Sequence, residues 1–423
     1  MGKNGIKAER NANFAKYCNN NKQMQRIVIK KFGPISNAEV EIKKVVVLIG
    51  DNAVGKSTII KLISAFSWME KALFRGSEKK WFEKENRLKN FLLPYHRIDN
   101  YLRSDSVIEY YGKAHTIKYG DGKISIEPQT DNNYQLPQIM YVPAERNFLT
   151  YLRNTKDFKS EGESLQDFER ELFNASNNLK GTLPLPINDF EIEYNKRHDM
   201  LYVKHKDHQK IKITESASGL QSFVPLYLVS DYFSNLVQDN GSEDAMTSGD
   251  IREFEKAINE ILNDNNLAAN QKHIAISKIS ALSKKFNKKA FINIVEEPEQ
   301  NLFPVSQRRM VQSLVAIANK NKDNKLIIST HSPYVLATIN NLMLAQKAGK
   351  NHFDEVSSRI DKQLWLDYND VFAGIVKEGG VEKIIDTEFD MIQMEQIDSV
   401  SRLINEEFDF LYNYETDDNT NNL

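Results

Sequence analysis

The stretch from residue 50 to residue 58 constrains this chain more than any other, because it fits the pattern G-x-x-x-x-G-K-[ST]. A β-branched run over residues 45–49 precedes it, and a helical pattern begins at residue 58. This order predicts a strand buried on both faces, then a glycine-rich loop, then a helix. The loop residues are Gly50, Asp51, Asn52, Ala53, Val54, Gly55, Lys56, Ser57 and Thr58.

Such a loop predicts a binding site for the phosphates of a nucleotide. Its glycines let the backbone curl so that the N–H groups point inward, at the positive end of the helix dipole. Lys56 would reach the β- and γ-phosphates, and the Ser57 hydroxyl would be a ligand of Mg²⁺. We therefore expect the whole loop to contact the nucleotide.

The composition is that of an ordinary soluble globular protein with a large core. The chain has 423 residues, of which 40% are hydrophobic and 27% are charged. Its formal net charge of −2 excludes a globally basic nucleic-acid binder but not a local basic patch. The one cysteine, Cys18, excludes an intrachain disulfide and a thiolate-rich zinc site. Because no apolar run approaches the roughly 18 residues that span a bilayer, we expect a cytoplasmic protein without a membrane segment.

The elements predicted on either side of the loop indicate which class of nucleotide-binding protein this is. Strands over residues 25–29 and 38–42, joined by a turn, precede the loop strand. Antiparallel strands directly before such a loop are unlike a plain doubly wound sheet and suit the cassette type of ATPase. Residues 66–103 interleave aromatic and basic side chains, which fits either a nucleic-acid surface or a helix with an apolar stripe and a solvated basic face.

A second apolar strand is predicted over residues 290–295, and two carboxylates follow it directly. Parallel strands end at one edge of a sheet, which is also the edge that carries the phosphate loop. There Glu296 would support Mg²⁺, directly or through a water, and Glu297 would accept a proton from the attacking water. The alternative is that Glu296, Glu297 and Glu299 only cap the next helix through its dipole.

A third apolar strand, over residues 325–329, ends at Thr330-His331-Ser332. A neutral imidazole at that point can hydrogen-bond a γ-phosphate or position the attacking water, although a lone histidine is more often structural. His205 and His208 have the spacing H-x-x-H, but they lie in a predicted hairpin tip without a third ligand nearby. We therefore expect His331 to be functional and this pair not to bind a metal.

Five motifs occur in an order that resembles a known family. They are residues 27–42 with Phe32-Gly33-Pro34, followed by GDNAVGKST, ESASGLQS, EEPEQNLFP and STHSP. Together they resemble the ABC-type ATPases of the SMC, RecF and OLD group over most of residues 25–345. The resemblance is closer still to small bacterial AAA-type ATPases with an ABC-type head, such as those of the Septu and PARIS anti-phage defence systems.

The resemblance implies the cofactors and the roles of the site residues. ATP and Mg²⁺ are the expected cofactors, and hydrolysis of ATP is the expected activity. The expected catalytic residues are Lys56, Glu297 and His331, and the expected magnesium ligands are Ser57 and Glu296.

The resemblance also implies an assembly. In this family a signature segment of one subunit contacts the γ-phosphate that is bound to the other subunit. Ser218, Gly219 and Gln221 are therefore expected to act in trans, in a head-to-tail homodimer with ATP at its interface or in a higher oligomer. Without the resemblance, a Ser-x-Ser-Gly stretch before a long helix is an ordinary N-cap.

Three positions depart from the pattern of the family. Leu220 replaces the second glycine of the signature, as in the OLD-like branch. No glutamine follows the strand that ends at Val142, where Glu145 and Arg146 stand instead. The acid on the magnesium side is Glu296 rather than the more frequent aspartate.

The lengths of the connecting segments predict an ATPase that controls a separately encoded effector. Residues 223–289 are too few for SMC coiled-coil arms, and the roughly 90 residues after His331 are fewer than an OLD-type Toprim nuclease needs. The stretch Lys377-Glu378-Gly379-Gly380 faintly resembles the start of a Toprim motif but fits a hairpin better. The expected effector is a nuclease or toxin in bacterial anti-phage defence. The alternatives are a DNA repair or recombination ATPase, with DNA at residues 66–103 or 146–159, and a scaffold clamped by ATP with little turnover.

The predicted fold is α/β: an ABC-ATPase-type P-loop fold with an N-terminal antiparallel β subdomain, a mixed or parallel core sheet and a helical lid subdomain. We expect a flexible arm over residues 1–24 and the ATPase domain over residues 25–345. Within that domain we expect insertions at about 66–135 and 147–187, and the signature and helical subdomain at about 215–289. A C-terminal α/β extension over residues 346–414 and a disordered acidic tail over residues 415–423 complete the prediction.

Overall fold

The structure is a computed structural model, and it describes residues 24–129, 133–151, 163–205, 209–238, 288–393 and 403–412. The predicted N-terminal arm up to residue 23, the stretch from 239 to 287 of the predicted helical subdomain, and the predicted acidic tail lie outside these residues. His208 of the H-x-x-H pair also lies outside them.

The described residues form the following strands and helices, each numbered along the chain. The strands are β1 (Arg26–Phe32), β2 (Ile35–Glu41), β3 (Val45–Gly50), β4 (Leu102–Tyr111), β5 (His115–Gly120), β6 (Lys123–Pro128), β7 (Pro137–Val142), β8 (Thr182–Pro184), β9 (Phe190–Asn195), β10 (Met200–His205), β11 (Ile211–Lys212), β12 (Ala290–Glu296), β13 (Lys325–Thr330), β14 (Val371–Lys377), β15 (Gly380–Lys383), β16 (Ile385–Asp386) and β17 (Met391–Ile392). The helices are α1 (Lys56–Arg75), α2 (Lys79–Phe82), α3 (Glu163–Asn178), α4 (Ser218–Gln238), α5 (Pro304–Asn319), α6 (Pro333–Ala348), α7 (Phe353–Ser357) and α8 over residues 403–412. None of the helices in the described ranges combines the length and the apolar character that a membrane crossing needs.

One large mixed sheet organises these elements. Its eleven strands follow the order β6-β5-β4-β1-β2-β15-β14-β3-β13-β12-β7. The run from β14 to β7 is parallel, whereas β1, β2, β4, β5 and β6 pair antiparallel with their neighbours in that part of the sheet. This arrangement confirms the predicted combination of antiparallel N-terminal strands with a parallel core sheet. The strands β8 to β11 form a separate four-stranded sheet.

The loop strand β3 is apolar throughout because both of its faces are covered. Val45, Val47 and Ile49 lie in a core that contains residues of α4, α5 and α6. Val46 and Leu48 lie in the core on the opposite face, with residues of α1. Side chains alternate between the two faces of a strand, so each position must be apolar. Burial of each such side chain contributes about 1.5–3 kcal/mol, which holds the start of the phosphate loop in the middle of the sheet.

The strand β14 lies in the core sheet, although its residues fall in the predicted C-terminal extension. It pairs parallel with β3 from Val371 opposite Val45 to Val376 opposite Gly50. A two-residue turn at Glu378 and Gly379 joins it to the antiparallel strand β15, which confirms the predicted hairpin. The core sheet therefore extends past residue 345. Local periodicity identifies a strand but not its distant partner, which is why the sequence did not reveal this pairing.

A buried carboxylate joins helix α1 to the antiparallel strands. Glu70 accepts hydrogen bonds from the N–H groups of Ala114 at 2.7 Å and His115 at 3.1 Å, and from the Tyr110 hydroxyl at 2.9 Å. Burial raises the pKa of Glu70 in spite of these bonds. A Cβ atom at Gly112 would lie 2.1 Å from the Glu70 carboxylate, so a larger residue there would displace the carboxylate from these hydrogen bonds. These contacts hold helix α1, which follows the phosphate loop, against the antiparallel strands.

Candidate nucleotide site

The phosphate loop leaves β3 through two glycines whose conformations other residues rarely adopt. Gly50 has φ 154° and Gly55 has φ 111°. A Cβ atom at Gly50 would lie 2.3 Å from the carbonyl oxygen of Val376 in β14. A Cβ atom at Gly55 would lie 2.3 Å from Cδ1 of Ile35 in β2. The neighbouring strands therefore set the shape of the loop, and the predicted order of strand, loop and helix is confirmed.

Lys56 is the first residue of α1, and its side chain folds back over the loop. Its ammonium donates to the carbonyl oxygens of Gly50 at 2.9 Å and Asp51 at 2.6 Å. Burial lowers its pKa, although the charges of Glu297, Asp51 and Glu299 act in the opposite direction. Asp51, with Asn52 and Ala53, is exposed at the tip of the loop. The lysine is thus held where phosphate oxygens bound by the loop would replace its carbonyl partners.

Glu297 lies at the end of β12, at the same edge of the sheet. Its N–H donates to the carbonyl oxygen of Ser329 in the neighbouring strand β13 at 2.8 Å. Its φ angle is 43°, a left-handed conformation that costs a residue with a side chain about 1–3 kcal/mol. The side chain is 34% exposed, which leaves the carboxylate accessible to a water molecule. Such a conformation persists only where the surrounding structure holds it.

His331 lies between Lys56 and Glu297. Its Nδ1 atom is 3.4 Å from the Lys56 ammonium nitrogen, and its Nε2 atom is 3.4 Å from Oε1 of Glu297. An ammonium group only donates, so a hydrogen bond with Lys56 requires Nδ1 to accept, and this tautomer carries its ring proton on Nε2. The main-chain N–H of His331 donates to Oε1 of Glu299 at 2.7 Å, which orients the histidine. The structure thus brings the three predicted catalytic residues together.

Glu296 points to the other side of the strand end and is buried. Its Oε2 atom accepts from the N–H of Ala144 at 3.2 Å, and its Oε1 atom is 3.8 Å from the Lys61 ammonium nitrogen. Within the described part of the chain, Oε1 has no hydrogen-bond partner. Glu296 thus combines an ion pair with Lys61 and a buried carboxylate oxygen that lacks a hydrogen-bond donor among the described residues, and such an oxygen fits the role of a ligand to Mg²⁺ or to its water.

Ser57 lies on the same face of α1 as Lys61, because residues four apart on a helix are neighbours. Lys61 is the residue of α1 that lies beside Glu296. The two predicted magnesium ligands, Ser57 and Glu296, are therefore on the same side of the site. Hydroxyl and carboxylate oxygens are the ligands that Mg²⁺ prefers, and nucleotide phosphates usually supply others, so these residues fit the ion.

The predicted signature segment begins helix α4 and contacts the loop after the two carboxylates. A Cβ atom at Gly219 would lie 2.7 Å from the carbonyl oxygen of Asn301 in the same chain. Gln221 is buried, and its amide donates to the carbonyl oxygens of Thr214 at 3.2 Å and Ser216 at 3.0 Å. Leu220, which replaces a glycine of the family pattern, is buried in the core. The role of Ser218, Gly219 and Gln221 in trans stays a prediction.

Large apolar side chains are exposed beside the site, at the first turns of α5 and α6. Phe303 is 75% exposed, Val305 53% and Tyr334 51%. The two helix starts are adjacent, because the Ser332 hydroxyl, next to His331, donates to Oε1 of Gln307 at 2.5 Å. The apolar face defined by Phe303, Val305 and Tyr334 therefore borders the catalytic residues.

Arg146 is a residue of the site whose role the sequence did not indicate. It lies in the turn Ala144–Tyr151 and has no exposed surface. Its guanidinium donates to four main-chain carbonyl oxygens, two of which belong to Glu296 and Glu297. Arg146 therefore cannot contact duplex phosphates, which corrects that part of the DNA hypothesis, while residues 152–159 lie outside the described residues. The one sequence signal for this role was an arginine in the loop after β7, where the family pattern has a glutamine.

The basic and aromatic region over residues 66–103 shows features of both predicted alternatives. Trp81 packs against the rings of Phe82 and Phe91, and the Arg87 guanidinium lies 4.1 Å from the centre of its ring. These contacts are those of a local aromatic cluster. Several lysines of the region are nevertheless exposed to solvent, namely Lys79, Lys80, Lys84 and Lys89.

The expectation that the H-x-x-H pair binds no metal stays a prediction, because His208 lies outside the described residues. His205 packs against the ring of Phe190, with 5.2 Å between the ring centres. Within the described ranges, no three His, Cys, Asp or Glu side chains form a metal-binding group.

A family model described as an AAA ATPase domain matches residues 23–336, which is most of the chain. The chain belongs to this AAA ATPase domain family. The match includes the phosphate loop, both carboxylates, the signature segment and His331. The ATPase class is thereby established for the chain. No curated protein matches it.

The chain is similar to several solved structures. One is an SMC head domain from Thermotoga maritima, with 11% sequence identity and a TM-score of 0.35; the match covers 86% of this chain and 98% of that one. The recombination mediator RecF has 11% identity and a TM-score of 0.30, covering 85% and 98%. A dimeric ATP-binding cassette bound to ADP and Pi has 10% identity and a TM-score of 0.28, covering 84% and 96%.

Proposed function

We propose that this AAA ATPase binds ATP with Mg²⁺ and hydrolyses it with Glu297 as the general base. The observation that carries the proposal is the convergence of Lys56, His331 and Glu297 at one edge of the sheet, with 3.4 Å between His331 and each of the other two. An apolar strand end that merely caps a helix does not require a histidine and a lysine beside its carboxylate.

Each residue has a defined part in the proposed reaction. The loop N–H groups and Lys56 bind the β- and γ-phosphates, and Glu297 accepts the proton of the attacking water. The Nε2–H of His331 can donate to the γ-phosphate or to that water. Mg²⁺, held by Ser57 and Glu296, neutralises charge on the phosphate oxygens when it is bound. Release of phosphate from ATP by the wild-type chain, and its loss in Glu297→Gln, tests this assignment.

We also propose that two copies close head-to-tail around ATP, with Ser218 and Gly219 of each copy facing the phosphates of the other. The exposed apolar face of Phe303, Val305 and Tyr334 borders the site, and apolar side chains at this position are suited to burial against a second copy. The solution mass of wild type and Glu297→Gln, measured with ATP and Mg²⁺, with ADP and without nucleotide, tests the assembly. A mass that does not respond to ATP contradicts a nucleotide-driven dimer.

The cycle of this ATPase is proposed to control a separately encoded nuclease or toxin in the cytoplasm of a bacterium, in anti-phage defence. The hairpin that contains Lys377 pairs with β3 of the ATPase sheet, which supports the proposal that the effector is a separate protein. Every residue of helix α8 is exposed, and among them Ile404, Phe408 and Leu411 have the spacing i, i+4 and i+7 of a helix that binds in a groove. Glu407 and Asp409 beside them favour an effector groove with a basic rim.

Co-purification of the full chain with the product of the neighbouring gene tests this control. The wild-type chain is expected to retain the effector, and Phe408→Glu is expected to lose it with ATP hydrolysis unchanged. Retention of the effector by Phe408→Glu contradicts docking through α8.

A DNA-engaged ATPase is the second candidate, and the exposed lysines of residues 79–89 favour it. Under this alternative the affinity for duplex DNA falls steeply with salt, because each phosphate contact releases a counterion. Lys80→Glu combined with Lys84→Glu should then weaken binding at every salt concentration. Turnover near zero with tight ATP binding, unchanged by Glu297→Gln, would instead identify a scaffold clamped by ATP.

A further inference from the structure

The guanidinium of Arg146 bonds to both carboxylate residues and to the signature helix. Nη1 donates to the carbonyl oxygen of Glu296 and Nη2 to that of Glu297, each at 2.7 Å. Nε donates to the carbonyl oxygen of Ser222 at 3.0 Å, and Nη1 also donates to Pro143 at 3.1 Å. Ser222 is one turn after Ser218 in α4. One buried side chain thus joins three elements of the site.

The surroundings of Arg146 are unusual for a buried arginine, which normally pairs with a carboxylate. Its acceptors are main-chain carbonyl oxygens, and the charges of Glu299, Glu297 and Glu296 partly offset the cost of burial. Burial lowers its pKa to about 10, so the group keeps its charge at neutral pH. The same turn contacts Glu296 a second time, because the N–H of Ala144 donates to its side chain.

We propose that Arg146 is a positioning residue that couples the signature helix α4 to the general base Glu297. The inference rests on the proposed ATPase function and deepens it. A shift of α4 when its first turn meets the nucleotide of a second copy reaches Arg146 through the carbonyl of Ser222. From Arg146 it reaches the main chain of Glu297 and so the direction of the carboxylate.

The conformation of Glu297 explains why such a coupling matters for the reaction. Its φ of 43° is held by hydrogen bonds of its main-chain groups: its N–H donates to Ser329, and its carbonyl oxygen accepts from the Arg146 side chain at 2.7 Å and from the N–H of Gln300 at 3.1 Å. Loss of the Arg146 bond removes the shorter of the two bonds to this carbonyl oxygen, so φ is held less firmly and the carboxylate can turn away from the attacking water. A displacement of about 1 Å at a catalytic group can lower a rate about 100-fold.

A second hydrogen bond ties the same two elements together. The side-chain amide of Asn301, in the loop after the carboxylates, donates to the Ser222 hydroxyl at 2.9 Å. This bond holds the first turns of α4 against the loop, so that Arg146 transmits movement between parts that are already in contact.

The test is a double-mutant cycle on the full chain with Arg146→Lys and Glu297→Gln. Arg146→Lys retains the positive charge but cannot reach all four carbonyl oxygens. It is expected to lower kcat for ATP about 10- to 100-fold with an unchanged Kd for ATP. The double variant is expected to have the same kcat as Glu297→Gln alone, because both substitutions remove the contribution of the Glu297 carboxylate. Arg197→Lys, the same substitution at an exposed arginine in the turn between β9 and β10, is the matched control and should keep the wild-type kcat.

The outcomes separate the inference from the function on which it rests. A kcat of Arg146→Lys equal to that of wild type overturns the coupling. The coupling is also overturned if Arg146→Lys lowers kcat by the same factor in the Glu297→Gln background as in wild type, because a purely structural arginine would produce that result. If Arg146→Lys is insoluble, Arg146→Gln is measured in the same cycle with the same criteria. Absence of hydrolysis by the wild-type chain overturns the proposed function together with this inference.

Discussion

The Nε2 atom of His331 lies 3.4 Å from the Oε1 atom of Glu297. The histidine reaches this position because β12 and β13 are parallel neighbours and both end at the edge that carries the phosphate loop. The ring proton on Nε2 points to the carboxylate side of the site, where a γ-phosphate and its attacking water would lie. The roles proposed for Lys56, Glu297 and His331 predict different effects of their substitution on ATP binding and on ATP hydrolysis.

His331→Ala should lower the rate of ATP hydrolysis about 100-fold while ATP still binds, because the imidazole acts on the γ-phosphate or the water and not on the loop. Phosphate release and the binding of a fluorescent ATP analogue measure the two effects. His198→Ala, at an exposed position away from the site, serves as the control. A loss of ATP affinity equal to the loss of rate would assign His331 to binding alone.

Lys56→Ala should weaken ATP binding by at least about 100-fold, since it removes the cation that bonds the β- and γ-phosphates. Titration with a fluorescent ATP analogue measures the Kd. Lys80→Ala removes an exposed lysine outside the loop and should leave the Kd unchanged. Equal affinities of Lys56→Ala and wild type would exclude the loop as the phosphate site.

Glu297→Gln should bind ATP normally, lose at least about 100-fold in hydrolysis and hold the ATP-bound dimer, because an amide cannot accept the proton of the water. Single-turnover hydrolysis and solution mass measure these effects. Glu299→Gln keeps an acceptor for the N–H of His331 and should lose far less activity. Normal hydrolysis by Glu297→Gln would remove this residue from the role of general base.

Phe303→Glu should weaken ATP-driven association at least about 10-fold with an unchanged Kd for ATP. In a two-fold dimer the substitution places a charge in the interface twice, and burying an unpaired charge is costly. Solution mass against protein concentration, with ATP present, measures the association. Phe389→Glu changes another exposed phenylalanine and should have no effect on it. An unchanged dimer in Phe303→Glu would place the interface on another face.

His96→Phe should make the free energy of unfolding less dependent on pH between about 6.5 and 3. His96 is buried, neither of its ring nitrogens has a hydrogen-bond partner in the described chain, and burial lowers its pKa from 6.5 to about 3. As the pH falls, the unfolded chain therefore binds this proton before the folded chain does, and stability is lost across that interval. The wild-type curve should be steeper by up to about 1.4 kcal/mol per pH unit.

Denaturant unfolding at several pH values measures this difference between the curves. His198→Phe, at an exposed position, should follow wild type. Parallel curves for His96→Phe and wild type would show that His96 does not titrate differently in the two states.

The sequence by itself determined the parts of the site that lie at strand ends. The loop at residues 50–58, the carboxylates after residue 295 and His331 could each be found because a buried strand and the polar residues after it are contiguous. Parallel strands end at one edge, so these separate motifs were expected to meet, and the geometry around His331 agrees with that expectation. The ATPase class followed from the same motifs and agrees with the family to which the chain belongs.

Only the tertiary structure decided which distant residues support those motifs. The pairing of β14 with β3, the burial of Arg146 against Glu296 and Glu297, and the contact of Gly219 with Asn301 all join residues that are far apart in the chain. Hydrophobic periodicity carries information about one element at a time and none about the partner that covers it. An arginine bonded to carbonyl oxygens looks the same in sequence as one on the surface, and its burial follows from the packing of three elements around it.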